Sequence, residues 1–232
     1  MNTPLLTSID SYHIGTSQPL SDHQLRQLIK IFDKPYRSAD TVLGGRSSVA
    51  IQPVAGIGSV VVKYYTRGGF IGHFVKRRYL RGGKIRSQAE FELLQTVRSL
   101  GVKAPNPIAY AHRGALFYKA WLVTEEIKDH QTLAQLSLSD PDRALSLIRQ
   151  VASNVSTLIH NNIHHVDLHP GNVLVDAEFS IFLIDFDKAC LLRRDRHKLR
   201  SKYIDRWKRA VIKHRLPDGL WQTFKTELQK NE

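Results

Sequence analysis

The sequence predicts an α+β fold with two lobes, a small antiparallel-sheet N-lobe with one helix and a compact, mainly helical C-lobe. Valine-rich runs separated by glycines lie in the first third of the chain, whereas the longest helical repeat of apolar residues begins near residue 140. The polar stretch 125–131 lies between these regions and is suited to join two lobes. We therefore expect an N-lobe over residues 1–127 and a C-lobe over residues 128–232.

A short amphipathic helix is expected to open the chain over residues 22–32, because apolar residues recur there at helical spacing. Asp22 is a suitable N-cap for it. Two valine-rich segments follow, Ser48–Val54 and Ser59–Tyr65, with glycines between them. This pattern predicts an antiparallel hairpin.

The rest of the N-lobe is predicted to contain a second periodic helix and a further strand. Residues 87–100 have helical spacing and end at Gly101, and Pro105 and Pro107 prevent the helix from continuing. Residues 117–124 are expected to form a strand, because they are rich in aromatic and aliphatic side chains.

The C-lobe is predicted to begin with the strongest helical signal in the chain. Asp140 and Pro141 form a favourable helix start, and the residues that follow place an apolar stripe on one side as far as Ile159. Two short apolar runs, 172–175 and 181–186, then predict a small hairpin.

Composition limits the class of protein. A chain of 232 residues with 42% hydrophobic and 24% charged residues is typical of a folded protein. The single cysteine, Cys190, excludes an intramolecular disulfide and a Cys-based zinc site. The N-terminal residues lack the basic and apolar regions of a signal peptide, and no window approaches the ~20 apolar residues of a spanning helix. We therefore expect a cytoplasmic location.

The formal net charge of +13 predicts an anionic partner. Charge alone leaves three possibilities open, namely a phosphate compound, a nucleic acid or a membrane surface. No stretch has the interleaved aromatic and basic residues of a nucleic-acid-binding platform, so we expect no nucleic acid among the partners.

The segment His165–Asn172, followed by Asp185-Phe186-Asp187, contains the residues expected to carry the chemistry. Its Asp-x-x-x-x-Asn spacing, its flanking apolar strands and the later Asp-Phe together resemble the catalytic and metal-binding loops of the protein-kinase-like superfamily. The resemblance implies a two-lobed protein-kinase-like fold, with Asp167 as the base for the attacking hydroxyl. Asn172 and Asp185 would be Mg²⁺ ligands, since this cation prefers oxygen. The alternative is that Asp167 and Asn172 are turn or capping residues.

The nearby histidines, His164, His165 and His169, offer a second interpretation as a metal cluster. No Cys or second ligand pair stands at a spacing suitable for zinc. We expect His165 to be a packed, hydrogen-bonded loop residue.

The N-lobe is expected to supply the nucleotide clamp. Gly44 and Gly45 precede the first predicted strand of the hairpin, as a shortened phosphate-covering loop would. Lys63 ends a valine run and matches the strand lysine that contacts ATP phosphates, so it is a candidate catalytic and cofactor-binding residue. Glu90 on the next helix matches its ion-pair partner, and Glu92 is the rival for that role.

Only forty-five residues follow Asp187, too few for the large helical lobe of a protein kinase, which favours a small or lipid-linked acceptor. The segments 63–72, 90–94, 105–109 and 183–188 resemble those of bacterial 3-deoxy-D-manno-octulosonic acid (Kdo) kinases of the lipopolysaccharide kinase family. The resemblance implies transfer of the ATP γ-phosphate to a hydroxyl of Kdo in Kdo–lipid A, or in a related lipopolysaccharide precursor, by a peripheral enzyme on the cytoplasmic side of the inner membrane. A heptose kinase of the lipopolysaccharide core, another small-molecule phosphotransferase and a non-catalytic kinase-like binding module remain alternatives.

Two basic segments are consistent with such an acceptor. Residues 63–86 contain eight basic residues and no acidic residue. Residues 193–215 contain eleven basic residues and only two acidic ones, Asp195 and Asp205. The second segment places Tyr203, Trp207, Val211 and Ile212 near helical spacing. We expect either packing of this helix on the C-lobe, binding to an anionic membrane surface, or both.

Overall fold

The computed structural model describes residues 3–34, 48–65, 85–114, 118–192 and 195–230. These residues form eleven strands, six α-helices and one 3-10 turn. They cluster into two compact units, Met1–Gln95 with Asn106–Glu126 and Thr96–Pro105 with Ile127–Glu232. The predicted α+β class is confirmed, whereas the division into functional lobes at residue 127 stays a prediction.

The first unit contains a six-stranded antiparallel sheet in the order β1-β2-β5-β6-β4-β3. Its strands are β1 (Leu5–Ile9), β2 (Tyr12–Thr16), β3 (Ser48–Val54), β4 (Gly58–Tyr65), β5 (Pro107–Arg113) and β6 (Lys119–Glu125). Helix α1 (Asp22–Asp33) packs with Leu28 and Phe32 against Trp121 and other buried residues of the sheet. This core holds the sheet that carries Lys63.

The chain opens with the β1–β2 hairpin, so the prediction that it opens with a helix was wrong. Tyr12 and Ile14 are buried on either side of the exposed His13, which is the alternation of a half-buried strand. Helix α1 follows, but its N-cap is Ser21 and not Asp22. In this capping box the Ser21 side chain accepts from the Gln24 backbone N–H, and the Gln24 side chain accepts from the Ser21 backbone N–H. Asp22 lies one residue later, in the first turn of the helix.

The predicted hairpin of valine-rich strands is confirmed as β3 and β4. Gly56 and Gly58 adopt φ values of 72° and 107° in its turn, a region that residues with a Cβ rarely enter. Helix α2 (Arg86–Ser99) confirms the second periodic helix and ends next to Gly101, which has φ 82°.

Strand β5 was not predicted, because the two prolines near its start were interpreted only as the end of the preceding helix. Pro107 is the first residue of the strand, a position where proline removes no interior ladder hydrogen bond. Strand β6 confirms the strand predicted over 117–124, shifted to Lys119–Glu125, and Phe117 lies outside the described residues.

The second unit is mainly helical. Its helices are α3 (Leu133–Ser139), α4 (Pro141–His160), α5 (Arg196–Lys213) and α6 (Gly219–Lys230), and its short strands are β7 (Gln131–Thr132), β8 (Ile163–His164), β9 (Val173–Val175), β10 (Ile181–Leu183) and β11 (Cys190–Leu191). The Asp140 side chain caps α4 by accepting from the Arg143 N–H, with Pro141 as first helical residue, as predicted. Helices α3 and α6 were not predicted.

The small hairpin predicted over 172–186 is confirmed as β9 and β10, which pair antiparallel with Val173 opposite Leu183. The loop between β8 and β9 holds Asp167 and Asn172, and Asp185 follows β10 by two residues. Among the described residues, no helix combines the length and apolar character needed to cross a bilayer.

Candidate active site

The loop that carries Asp167 is anchored to helix α5 by one buried tyrosine. The Tyr203 hydroxyl donates to the carbonyl of Ile163 at 2.9 Å and accepts from the N–H of His165 at 2.8 Å. These two bonds satisfy backbone groups at the start of the loop that would otherwise be buried without partners. The loop is therefore positioned by a helix that lies about forty residues later in the sequence.

His165 is almost fully buried and joins the loop to the strand end that precedes Asp185. Its Nε2 lies 2.9 Å from the carbonyl oxygen of Ile184, and its ring packs on Phe186 with 4.5 Å between ring centroids. Burial lowers the pKa of His165 and favours the neutral ring, which then donates through Nε2. This environment matches the packed, hydrogen-bonded loop histidine that the sequence predicts.

Asp167 is fixed at both its backbone and its side chain. The Asn172 amide donates through Nδ2 to the backbone carbonyl of Asp167 at 2.9 Å. The Arg206 guanidinium donates to Oδ1 of Asp167 from Nε at 3.1 Å and from Nη2 at 2.5 Å. The carboxylate remains about one third exposed, so it is accessible as well as held.

Burial and charge act in opposite directions on the Asp167 carboxyl. Partial burial raises its pKa, but the hydrogen bonds and charge of Arg206 hold the pKa below its usual value. Asp167 is therefore ionised at neutral pH, as a proton acceptor must be.

Asn172 and Asp185 present oxygen atoms suited to a hard cation. Asn172 ends the 3-10 turn Pro170–Asn172, and its backbone carbonyl accepts from the N–H of Ile184 at 3.1 Å, next to Asp185. Because the Asn172 amide group donates to Asp167, its Oδ1 is the atom left to face a cation. Asp185 has the left-handed φ of 64°, which is uncommon for a residue other than glycine and is frequent at functional sites.

The donor set of this site fits Mg²⁺. In the part of the chain that the structure describes, no cluster of three or more His, Cys, Asp and Glu side chains could hold a metal ion. Mg²⁺ in phosphotransferases takes one or two protein carboxylates and completes its coordination with phosphates and water. One carboxylate and one amide oxygen are sufficient for that mode of binding.

His169 caps the 3-10 turn. Its Nδ1 accepts from the N–H of Gly171 at 3.0 Å, and its ring faces that of His214 at 6.3 Å between centroids. Burial, with the nearby Arg206, lowers the pKa of His169 to about 4. His169 is therefore neutral at physiological pH and orders the loop without adding charge.

In the first unit, Lys63 on β4 forms an ion pair with Glu90 on α2. Its Nζ lies 3.0 Å and 3.1 Å from the two carboxylate oxygens of Glu90, which also accepts from the Tyr65 hydroxyl. Glu90 is 4% exposed. The rival residue, Glu92, accepts from the Gln88 side chain at 3.0 Å.

The sequence profile of the Lipopolysaccharide kinase (Kdo/WaaP) family matches residues 27–227, most of the chain. The chain belongs to this family. It is 34% identical over 195 residues to 3-deoxy-D-manno-octulosonic acid kinase of Vibrio vulnificus strain CMCP6, covering 81% of each protein. The kinase of the same name from Vibrio parahaemolyticus is 29% identical over 87% of this chain and 81% of its own length. The one from Xylella fastidiosa strain M12 is 29% identical over 78% of this chain and 74% of its own length.

Membership of the lipopolysaccharide kinase family accounts for the resemblance found in the sequence. Lys63 and Glu90 lie in the first unit, and Asp167, Asn172 and Asp185 lie in the second. Gly44 and Gly45, and the basic residues between Arg67 and Lys84, lie outside the described residues. The roles of all these residues stay predictions.

Arg206 is the site residue that sequence reasoning missed. The sequence groups it with the basic residues of the 193–215 segment, whereas the structure places its guanidinium on Asp167. The two residues are separated by thirty-nine positions, and no local pattern reports a contact over that distance. Tyr203, which is buried and lies three positions before Arg206 on α5, indicates that side of the helix but does not by itself select Arg206.

Proposed function

We propose that this chain is an ATP-dependent kinase that phosphorylates a hydroxyl of Kdo in Kdo–lipid A, or in a related lipopolysaccharide precursor. The observation that carries the proposal is the single loop that holds Asp167 and Asn172 beside Asp185, in a chain similar to enzymes named Kdo kinases. Phosphoryl transfer requires these groups because catalysis depends on positioning and electrostatic stabilisation.

In the proposed reaction Asp167 accepts the proton of the acceptor hydroxyl. The hydroxyl oxygen forms a bond to the γ-phosphorus while the bond from that phosphorus to the bridging oxygen of ADP breaks, so the products are ADP and a phosphorylated sugar. Asn172 and Asp185 would hold Mg²⁺, whose charge would offset that of the nucleotide phosphates. Lys63, oriented by Glu90, would contact the ATP phosphates.

The acceptor is anchored in a membrane, so we propose that the enzyme works peripherally on the cytoplasmic side of the inner membrane. Helix α5 supports this, because its apolar residues Tyr203, Trp207 and Val211 are buried while basic residues on its other faces are exposed. Ile212, predicted on the apolar side, is 59% exposed. The exposed basic residues of α5 are Arg196, Lys198, Lys208, Arg209 and Lys213.

A comparison of acceptors tests the proposed function. Purified protein is incubated with ATP, Mg²⁺ and one of three acceptors, namely Kdo–lipid A, lipid A without Kdo, or a heptosylated core, and phosphate transfer is followed by mass spectrometry. We expect a phosphate gain that requires Kdo. A gain on the heptosylated core alone would identify a heptose kinase, and no gain on any acceptor, with ATP binding retained, would favour a non-catalytic binding module.

A further inference from the structure

The contact between Arg206 and Asp167 occupies one oxygen of the candidate base. Both the Nε and the Nη2 atoms of Arg206 donate to Oδ1 of Asp167, and the Arg206 side chain is 25% exposed. Two donors on one oxygen fix the carboxylate more firmly than a single charge contact, because the guanidinium is planar and its donors are rigid. Oδ2 remains as the oxygen that can receive a proton.

Helix α5 presents Arg206 from a rigid position. Three residues before it, the Tyr203 hydroxyl donates to the Ile163 carbonyl in β8 and accepts from the His165 N–H at the start of the loop. One residue after it, Trp207 is fully buried and stacks on Phe224 of α6 with 4.4 Å between ring centroids. The backbone of the helix is thus anchored on both sides of Arg206, so the guanidinium reaches Asp167 from a fixed point on α5.

Asn172 fixes the other end of the same residue. Its side-chain amide holds the backbone carbonyl of Asp167, while Arg206 holds the carboxylate. With the backbone and one carboxylate oxygen fixed by different elements, the direction of Oδ2 is determined. A general base must lie within hydrogen-bond reach of its proton, and a misplacement of 1 Å can cost about 100-fold in rate.

We propose that Arg206 is a positioning residue that acts through Asp167, holding Oδ1 so that Oδ2 faces the acceptor hydroxyl. This inference rests on the proposed function, in which Asp167 is the base. Arg206 therefore has a different proposed role from the exposed basic residues of α5, which are proposed to bind an anionic membrane surface.

A double-mutant cycle tests this coupling. Arg206→Gln is expected to lower kcat about 10- to 100-fold with little change in the acceptor KM, and Arg206→Lys to recover part of that loss. In a chain that already carries Asp167→Asn, Arg206→Gln should cost less than about 3-fold, because a positioning residue has nothing left to position. Arg149→Gln is the matched control, since it removes a different surface arginine–carboxylate contact, to Glu227 at 3.4 Å.

Three kinetic outcomes would overturn the inference. Equal losses from Arg206→Gln in both backgrounds would show an independent role. A raised acceptor KM with unchanged kcat would assign Arg206 to binding the acceptor carboxylate, and a raised kcat would show that the ion pair inhibits. Thermal unfolding of each variant separates these outcomes from a loss of folded protein.

An NMR measurement tests the contact between Arg206 and Asp167 without any acceptor, and so does not depend on the proposed function. The Nε–H resonance of Arg206 in a ¹⁵N spectrum should be protected from exchange with water and should shift or disappear in Asp167→Asn, but not in Arg149→Gln. A wild-type protein inactive on every acceptor would overturn the proposed function alone. An Nε–H resonance that is indifferent to Asp167→Asn would overturn the positioning role whatever the acceptor.

Discussion

At the scale of single residues, the candidate base and the candidate phosphate ligand are each held by a charged partner. Asp167 is held by Arg206 in the second unit, and Lys63 by Glu90 in the first. The two pairs differ in burial, because the side chain of Glu90 is 3% exposed whereas that of Asp167 is 36% exposed. Removal of the cation should therefore destabilise the fold more at Glu90, whose buried carboxylate would be left without it, than at Asp167, which water can still reach.

Paired substitutions distinguish a catalytic from a structural role for Lys63. Both Lys63→Ala and Glu90→Gln break the same ion pair, and Lys63→Ala should cost more thermal stability because it leaves the buried Glu90 carboxylate without its cation. If Lys63 contacts ATP phosphates, Lys63→Ala should reduce kcat/KM at least about 10-fold more than Glu90→Gln does, since only it removes the phosphate contact. Equal losses of activity from the two variants would indicate that the pair serves folding.

Asp185→Asn tests the metal site. The substitution keeps the size of the side chain but removes its charge, so the Mg²⁺ concentration that gives half-maximal activity should rise about 10-fold or more. Titration of activity with Mg²⁺ measures the change, and Asp142→Asn, at an exposed position in the first turn of α4, is the control. An unchanged Mg²⁺ dependence would remove Asp185 from the list of ligands.

The candidate residues of the site could be proposed from the sequence where they lie within one short segment. Asp167 and Asn172 are five positions apart, and Asp185 follows the hairpin, so the resemblance of this segment to protein-kinase-like loops was enough to propose them, and their roles stay predictions. Arg206 could not be selected in this way, because its partner is set by how α5 packs on the loop. The sequence shows that α5 is basic on most sides but does not show which arginine faces the loop.

At the scale of elements, helix α5 supports, through Tyr203, the loop that carries Asp167. Its hydroxyl satisfies one backbone donor and one backbone acceptor, and it is buried. Burial raises the pKa of Tyr203, so the hydroxyl stays protonated and able to donate. The loop geometry therefore depends on an element that carries none of the residues predicted for catalysis.

Tyr203→Phe should destabilise the protein and slow transfer. The phenyl ring fills the same space but leaves the His165 N–H and the Ile163 carbonyl without their partner, at a cost of about 1–3 kcal/mol. Urea unfolding measures the loss, and Tyr64→Phe is the comparison, since its hydroxyl donates to the carbonyl of Ile31 at 3.0 Å in the other unit. A fall in turnover from Tyr203→Phe alone is expected, and equal turnover in the two variants would contradict the supporting role of α5.

The predicted and missed elements differ in how local their signals are. Helices α1, α2 and α4 have long apolar repeats or clear caps, and their existence was predicted correctly. Strand β5 begins at Pro107 and is buried along most of its length, so it shows neither alternation nor a clean start. Helix α6 has Leu220, Phe224 and Leu228 on one side, a signal that was present but short.

At the scale of the whole molecule, the dominant property is the net charge of +13. Exposed basic residues near an anionic membrane contribute about 1 kcal/mol each, so a few of them are enough to recruit a peripheral enzyme. The attraction is screened by salt, because the Debye length falls to about 8 Å at physiological ionic strength.

Liposome binding tests the proposed membrane surface. The protein should sediment with anionic but not with neutral vesicles, and less so as salt rises. Replacement of three exposed α5 residues should raise the apparent KM for membrane-presented acceptor and spare a short soluble acceptor. The residues to replace with glutamine are Lys198, Arg209 and Lys213, and the control set with the same charge change in the first unit is Arg26, Lys30 and Lys34. Equal effects of both sets would show a response to net charge only.

The position of the phosphate on the product tests the proposed Kdo kinase activity most directly. Kdo–lipid A is incubated with ATP and Mg²⁺, and tandem mass spectrometry locates any added phosphate. We predict a phosphate on the Kdo residue with the wild-type protein. With Asp167→Asn we predict a rate at least about 100-fold lower, although ATP binding is retained, because the base acts on the acceptor hydroxyl. A phosphate on lipid A and not on Kdo would contradict the proposed Kdo kinase activity, and undiminished transfer by Asp167→Asn would contradict the role of Asp167 as the base.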